Sequence, residues 1–153
     1  MTTFSDSMTL GEARDGLREL VDAGHECPCC RQFAKVYRRK IHATMARDFL
    51  RVWRAVGEGT WFHLPDFVAN SGDVPKTRFW GLLDEEIELR RADGGRAGYW
   101  RITDLGRAWV LNQATLPKYA RIYSGRCLGL VGEPTSIVDS LGDRFDYREL
   151  MDS

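Results

Sequence analysis

Two predicted strands on either side of a glycine turn constrain the fold of this chain more than any other feature. Residues 83–91 and 97–102 flank Asp93-Gly94-Gly95, so they are predicted to pair as an antiparallel hairpin. Residues 76–82 before the hairpin are expected to be helical, and Thr103 is suited to cap a further helix over 104–113. The sequence therefore predicts a helix, two strands around a turn, and a second helix in direct succession.

Three more helices are predicted before this hairpin. Thr9 and Glu12 have capping-box spacing and open a helix over 10–23. Apolar residues recur every three or four positions over 31–56, which predicts one long amphipathic helix there. A short extended piece is expected to follow, and then a short helix over 65–69 that begins with a proline.

The C-terminal part predicts a second hairpin and short helices. Residues 118–123 and 126–131 flank Ser124-Gly125, and residues 134–142 have the pattern of a short helix with glycine just past its end. The expected fold class is α+β. We expect an N-terminal helix and cysteine-rich turn in 1–30, a core in 31–113, and a hairpin and helical extension in 114–153 that packs on the core.

The charge distribution is uneven although the formal net charge is zero. Between Arg31 and Arg54 there are eight basic residues and one acid, a net charge of +7, whereas residues 1–26 and 133–153 each hold six acids and two bases. Arg47, Arg51 and Arg54 follow i, i+4, i+7 spacing and would share one face of the long helix. That face could contact a phosphate backbone, an acidic protein, or the acidic ends of the chain itself.

The cysteine cluster Cys27-Pro28-Cys29-Cys30 is the second candidate for a chemical role. Cys27 and Cys30 form a Cys-x-x-Cys pair, which is half of a tetrahedral zinc site, and the missing ligands would come from His25, Cys29, His42 or Cys127. His25 and His42 are preferred with the two cysteines. Reduced structural thiols that hold the turn in place, or a redox pair, are the alternatives.

The central run carries a family resemblance. Phe79-Trp80-Gly81-Leu82-Leu83, followed by Gly98-Tyr99-Trp100-Arg101-Ile102-Thr103-Asp104-Leu105-Gly106-Arg107, resembles the core of winged helix-turn-helix regulators of the MarR and PadR kind over about 45 residues. The chain lacks the long dimerisation helix that those regulators have after the wing. The wider order, from Cys-Pro-x-Cys through the basic helix to a Phe-Asp-Tyr-x-x-Leu tail, also resembles small bacteriophage and prophage proteins of unknown function.

The resemblance implies a DNA-binding role for particular side chains. Lys76, Thr77 and Arg78 would be presented to the major groove, with Arg78 best suited to bond guanine bidentately. Arg90, Arg91 and Arg96 flank the tip of the wing and would reach phosphates or a minor groove. The tryptophans and leucines of the same run are expected to form the core.

The expected function follows from these features. Because the usual catalytic motifs are absent, an enzyme is not expected. No signal peptide or membrane-spanning run is predicted, so a cytoplasmic protein, in the host cell if phage-encoded, is expected. Double-stranded DNA is the expected partner of a regulator or accessory DNA-binding protein, with homodimer formation left open. The alternative is a module that binds or inhibits a host protein.

Overall fold

The computed structural model describes residues 3–67, 73–86 and 99–152, and its architecture is α+β with several helices and small antiparallel sheets. The helices are α1 (Leu10–Leu20), α2 (Ala43–Val56), two 3₁₀ helices (Leu64–Asp66 and Val74–Trp80), α3 (Asp104–Val110), α4 (Ile137–Leu141) and α5 (Tyr147–Asp152). The strands are β1 (His25–Glu26), β2 (Phe33–Ala34), β3 (Tyr37–Lys40), β4 (Phe62–His63), β5 (Leu83–Glu85), β6 (Tyr99–Ile102), β7 (Leu116–Tyr123) and β8 (Arg126–Thr135). No described helix combines the length and apolar character needed to cross a membrane.

The chain divides into two compact units, each drawn from two stretches of sequence. The first unit contains the described residues of Met1–Arg39 together with Ala120–Gly129, and the second contains those of Lys40–Tyr119 and Leu130–Ser153. The strands form three sheets. β1 pairs with β2, β3, β7 and β8 lie in that order, and β6 lies between β4 and β5.

The predicted long helix over 31–56 is wrong over residues 31–42, nearly half of its length. Arg31 has a positive φ of 65°, the chain then runs extended through β2 and β3, and α2 begins only at Ala43. His42 is the residue that starts the helix, because its backbone is extended and its Nδ1 accepts the N–H of Met45 at 3.3 Å. The stretch before it therefore does not place its basic residues on one helical face.

Several local predictions are confirmed. Thr9 and Thr103 each cap the helix that follows, with the side-chain oxygen accepting a backbone N–H three residues on. The helix predicted over 134–142 is present as Ile137–Leu141, and Ser136 caps it in the same way. The hairpin of β7 and β8 turns at Ser124 and Gly125, which both have positive φ. The first hairpin is also present in its described part, where Leu83 lies opposite Ile102 in an antiparallel pair.

The core of the second unit is built around α2. This helix packs against α3, α4, α5 and the second 3₁₀ helix. Side chains from all of these elements except α5 are almost completely buried, and they include Phe49, Leu50, Val52, Val74, Trp80, Trp109, Val110, Ile137 and Leu141. The 3₁₀ helix that carries the predicted DNA-contacting residues is thus fixed against the most buried part of this unit.

Candidate nucleic-acid interface

The second 3₁₀ helix is positioned by three buried side chains that are spaced three residues apart. Val74, Thr77 and Trp80 are all buried, because residues three apart lie above one another in a 3₁₀ helix. The helix ends at Gly81, whose φ of 82° favours glycine, and the N–H of Leu82 then bonds Thr77 O at 3.3 Å. The remaining positions of the helix face outward.

Two of the three predicted base-contacting side chains are exposed on this helix. Arg78 Nη1 donates to Pro75 O at 3.0 Å, and its guanidinium lies 4.3 Å from the centroid of the Phe79 ring. Lys76 Nζ lies 2.9 Å from Asp73 Oδ1. Both contacts are local and solvent-exposed, so each costs little to exchange for a phosphate or a base.

Thr77 does not fit the predicted role. Its side chain is fully buried, and its hydroxyl donates to Val74 O at 2.7 Å. A residue in the buried stripe of the helix is not accessible to the major groove. Thr77 instead satisfies a carbonyl of its own helix and fills the core.

Asp73 links this helix to the start of α2. Its Oδ1 contacts Lys76, and its Oδ2 lies 3.0 Å from Nε2 of His42. These hydrogen bonds, the one from Lys76 foremost, lower the pKa of Asp73 below its ordinary value of 3.8. Both ring nitrogens of His42 are engaged, Nδ1 with the Met45 amide and Nε2 with Asp73, so the ring has no nitrogen left for the predicted zinc ligation in this arrangement.

We expect the Asp73 contacts to be visible in the pH dependence of stability. Because the folded-state pKa is lowered, their contribution is present above about pH 4 and is lost as the pH falls through the folded-state pKa. Urea unfolding at pH 6 and pH 3 should show a smaller acid-induced loss for Asp73→Asn than for wild type. The difference should stay under about 1 kcal/mol, since the carboxylate is almost half exposed. Asp143→Asn, an exposed carboxylate of the same unit, is the matched control and should behave as wild type.

Arg47, Arg51 and Arg54 lie on α2 as predicted, but their surroundings differ. Arg47 is three-quarters buried, pairs with Asp48 at 3.0 Å and lies over the Phe145 ring at 4.8 Å. Arg54 Nη1 donates to Leu150 O at 2.9 Å, which ties α2 to α5. Arg51 is exposed, and none of the described carboxylates forms an ion pair with it. Two of these arginines thus have structural contacts within the second unit.

The predicted wing arginines Arg90, Arg91 and Arg96 lie outside the described residues. The strands that lead into and out of that segment are described and paired. Next to them, Arg101 of β6 pairs with Asp84 of β5 at 3.0 Å and lies 4.5 Å from the Trp61 ring.

The cysteine cluster forms the turn between β1 and β2. The N–H of Cys27 bonds Gln32 O at 2.7 Å, and that of Arg31 bonds Cys27 O at 2.9 Å. Backbone N–H groups of Cys30 and Cys29 also bond the Cys27 sulfur and lower the pKa of its thiol. His25 Nδ1 lies 2.7 Å from Glu26 O, and its ring lies 5.5 Å from that of Phe4.

These residues do not assemble a complete ligand set. All four cysteines are free thiols, and Cys127 Sγ lies 3.6 Å from Gly129 O. Within the described ranges, no group of three or more His, Cys, Asp or Glu side chains is arranged to hold a metal ion. Zinc at Cys27 and Cys30 therefore stays a prediction from the sequence.

A cavity of about 410 Å³ lies beside Trp80 and Trp109 in the second unit. Its walls carry both signs of charge, since Lys40, Lys118 and Arg144 alternate with Asp139 and Asp143. Two carboxylates next to three cations do not favour an anion strongly. The cavity thus does not point to phosphate as clearly as the exposed cations of the surface do.

Comparison with known proteins found no match: neither a family model, nor a curated protein, nor a solved structure corresponds to this chain.

Proposed function

We propose that this chain is a DNA-binding protein of the winged helix-turn-helix kind, which acts as a transcriptional regulator or accessory DNA-binding protein. The order of the β4-β6-β5 sheet is the observation that carries the proposal. In a winged arrangement, a helix and a first strand precede two short helices and a hairpin, and the first strand pairs with the second strand of the hairpin. The order of the described elements from α2 to β6 supports the proposal.

The electrostatics of the second 3₁₀ helix support duplex DNA as the ligand. Arg78 and Lys76 both project from a short element that the core holds firmly on its other side. Arginine can donate two hydrogen bonds to guanine, and lysine can contact a phosphate or a base. Arg78 is therefore assigned the base contact. Lys76 is assigned to phosphate, where it would exchange Asp73 for a DNA oxygen.

The test is an anisotropy titration of labelled random duplex at several salt concentrations. Lys76→Ala, which removes the proposed phosphate contact, should flatten the slope of log affinity against log salt by about 0.9, and Arg78→Ala should also weaken binding because a cation is lost from the groove. Arg148→Ala, which removes an exposed arginine from α5 of the same unit, is the matched control and should bind as wild type does. Wild-type protein that fails to bind duplex at about 50 mM salt, where phosphate contacts are strong, would contradict the proposal.

A protein partner is the second candidate, and exposed aromatic side chains of the second unit favour it. Trp61 is 39% exposed and Phe67 is 44% exposed. Tyr99 and His63 lie nearby on paired strands with their rings 4.9 Å apart. Aromatic side chains are enriched in protein interfaces. An interaction that persists at high salt and is lost in Trp61→Ala would support this function in place of DNA binding.

A further inference from the structure

Residues 33–39, which were expected to lie in the long helix, instead present a line of aromatic and basic side chains. Along β2 and into β3, Ala34 and Val36 are buried at 4% exposure. The alternate side chains of this extended stretch point away from that core. They are Phe33, Lys35, Tyr37 and Arg39.

The two rings of this line are held but accessible. Phe33 is 67% exposed, although its ring lies against the backbone of Gly24, where an added Cβ would come within 2.5 Å of Phe33 Cζ. Tyr37 is 48% exposed, and the Lys35 ammonium and Arg39 guanidinium lie 5.4 and 5.5 Å from its ring centroid. Each ring is thus steadied by its neighbours without being covered.

Three cations of this segment, Arg31, Lys35 and Arg39, are not paired with a described carboxylate. Residues 31–40 contain five basic residues and no acid. In the same unit, by contrast, Arg121 pairs with Asp22 at 2.9 Å. A cation over a tyrosine ring keeps its full charge, so the segment is suited to a polyanion.

We propose that this surface of the first unit binds single-stranded nucleic acid. Lys35 and Arg39 would contact phosphates, and bases would stack on Phe33 and Tyr37. A duplex keeps its bases stacked on one another, so it could use the cations but not the exposed rings. Alternate residues of a strand lie roughly 6.6 Å apart, which places the two rings roughly 13 Å apart, or about four stacked nucleotides. This inference goes beyond the duplex site, which lies in the second unit.

Labelled oligo-dT, titrated by fluorescence anisotropy, tests the stacking part. Tyr37→Ala should weaken binding roughly 5- to 150-fold, because one stacked base is worth about 1–3 kcal/mol, whereas Tyr37→Phe should bind as wild type. Tyr37→Leu, which keeps apolar bulk without a π-face, should weaken binding as well and serves if the alanine variant unfolds by circular dichroism. Wild-type affinity in Tyr37→Leu would overturn the proposal.

The salt dependence tests the phosphate part. Arg39→Ala should flatten the slope of log affinity against log salt by about 0.7, the value for one phosphate contact on a single strand. Arg14→Ala, an exposed arginine of α1, should leave the slope unchanged. Polyglutamate that competes as well as unlabelled oligo-dT would assign the surface to an acidic protein and overturn the proposal. Arg78→Ala should not alter oligo-dT binding, so this proposal and the duplex proposal can fail separately.

Discussion

Trp109→Ala is expected to lower the free energy of unfolding by roughly 4 kcal/mol, within the range for deleting a buried large aromatic side chain. Trp109 is fully buried in α3 and meets Phe49 of α2 edge-on, with ring centroids 6.1 Å apart. Its Nε1 also donates to Thr135 O at 3.3 Å. The substitution therefore leaves both a large cavity and a carbonyl without this hydrogen bond.

Comparing the free energies of unfolding of Trp109→Ala and Trp61→Ala in urea separates the effect of burial from the effect of the residue type. Trp61 is 39% exposed, so the same substitution should cost about 1 kcal/mol or less there. Trp109→Phe should fall between wild type and the alanine variant, because it keeps most of the apolar volume but loses the bond to Thr135. Equal losses at the two tryptophans would show that Trp109 is not buried in the core around α2.

Capping and turn signals made much of this fold predictable, because they act within a few residues. Thr103 caps α3 through an N–H three residues away. Ser124 and Gly125 form the turn of the second hairpin for a similar reason, since the backbone angles of the turn are set by the two residues themselves.

The segment from Phe33 to Ile41 was not predictable in the same way. Phe33, Tyr37 and Ile41 are spaced as on a helix, while Ala34 and Val36 are spaced as on a strand. Tertiary contacts decide between the two periods. The N–H of Val36 bonds Val21 O at 2.8 Å, and β2 pairs with β1, neither of which a helix in this position would allow.

The candidate site was predictable as a location but not in its details. The sequence predicted a helix over 76–82, and the structure has a 3₁₀ helix over Val74–Trp80. Residues three apart share a face of a 3₁₀ helix, so Thr77 lies with Val74 and Trp80 on the buried side, and Lys76 and Arg78 lie outside. Ion pairing was not visible in the sequence either, since the partner of Lys76 depends on how the preceding turn brings Asp73 to it.

The density of basic residues in the sequence therefore does not identify those that can bind a polyanion. The ion pairs that each basic residue already makes in the fold identify them better. Arg47 lies in the most basic stretch, yet it pairs with Asp48 and lies against Phe145. The charged groups of Lys35 and Arg39 lie near the Tyr37 ring, and no described carboxylate forms an ion pair with them. A polyanion that bound Lys35 and Arg39 would displace only water, whereas one that bound Arg47 would have to displace Asp48. The free-energy cost of binding a polyanion is thus lower at Lys35 and Arg39 than at Arg47.

Gly106→Ala is the second substitution with a large expected effect, and its sign is opposite to that of helix propensity. Replacing glycine by alanine inside a helix normally stabilises it by about 1 kcal/mol. At Gly106 the added Cβ would lie 2.6 Å from Leu82 O, 2.9 Å from Ile102 Cγ2 and 3.1 Å from Phe49 Cζ. A backbone oxygen cannot rotate away as a side chain can, so we expect a net loss of roughly 2–3 kcal/mol.

Gly11→Ala is the matched control, because Gly11 also lies within a helix and its added Cβ would meet only Thr9 Oγ1 at 3.9 Å. Urea unfolding should show Gly11→Ala at or above wild-type stability, and a Gly106→Ala variant as stable as wild type would contradict the packing described.

The displacement caused by Gly106→Ala should also reach the proposed duplex site. Leu82 O accepts the N–H of Thr103 at 3.1 Å, and Leu82 directly follows the Gly81 turn that ends the 3₁₀ helix. Displacing Leu82 would therefore misplace Arg78, and folded Gly106→Ala should bind random duplex more weakly than Gly11→Ala does.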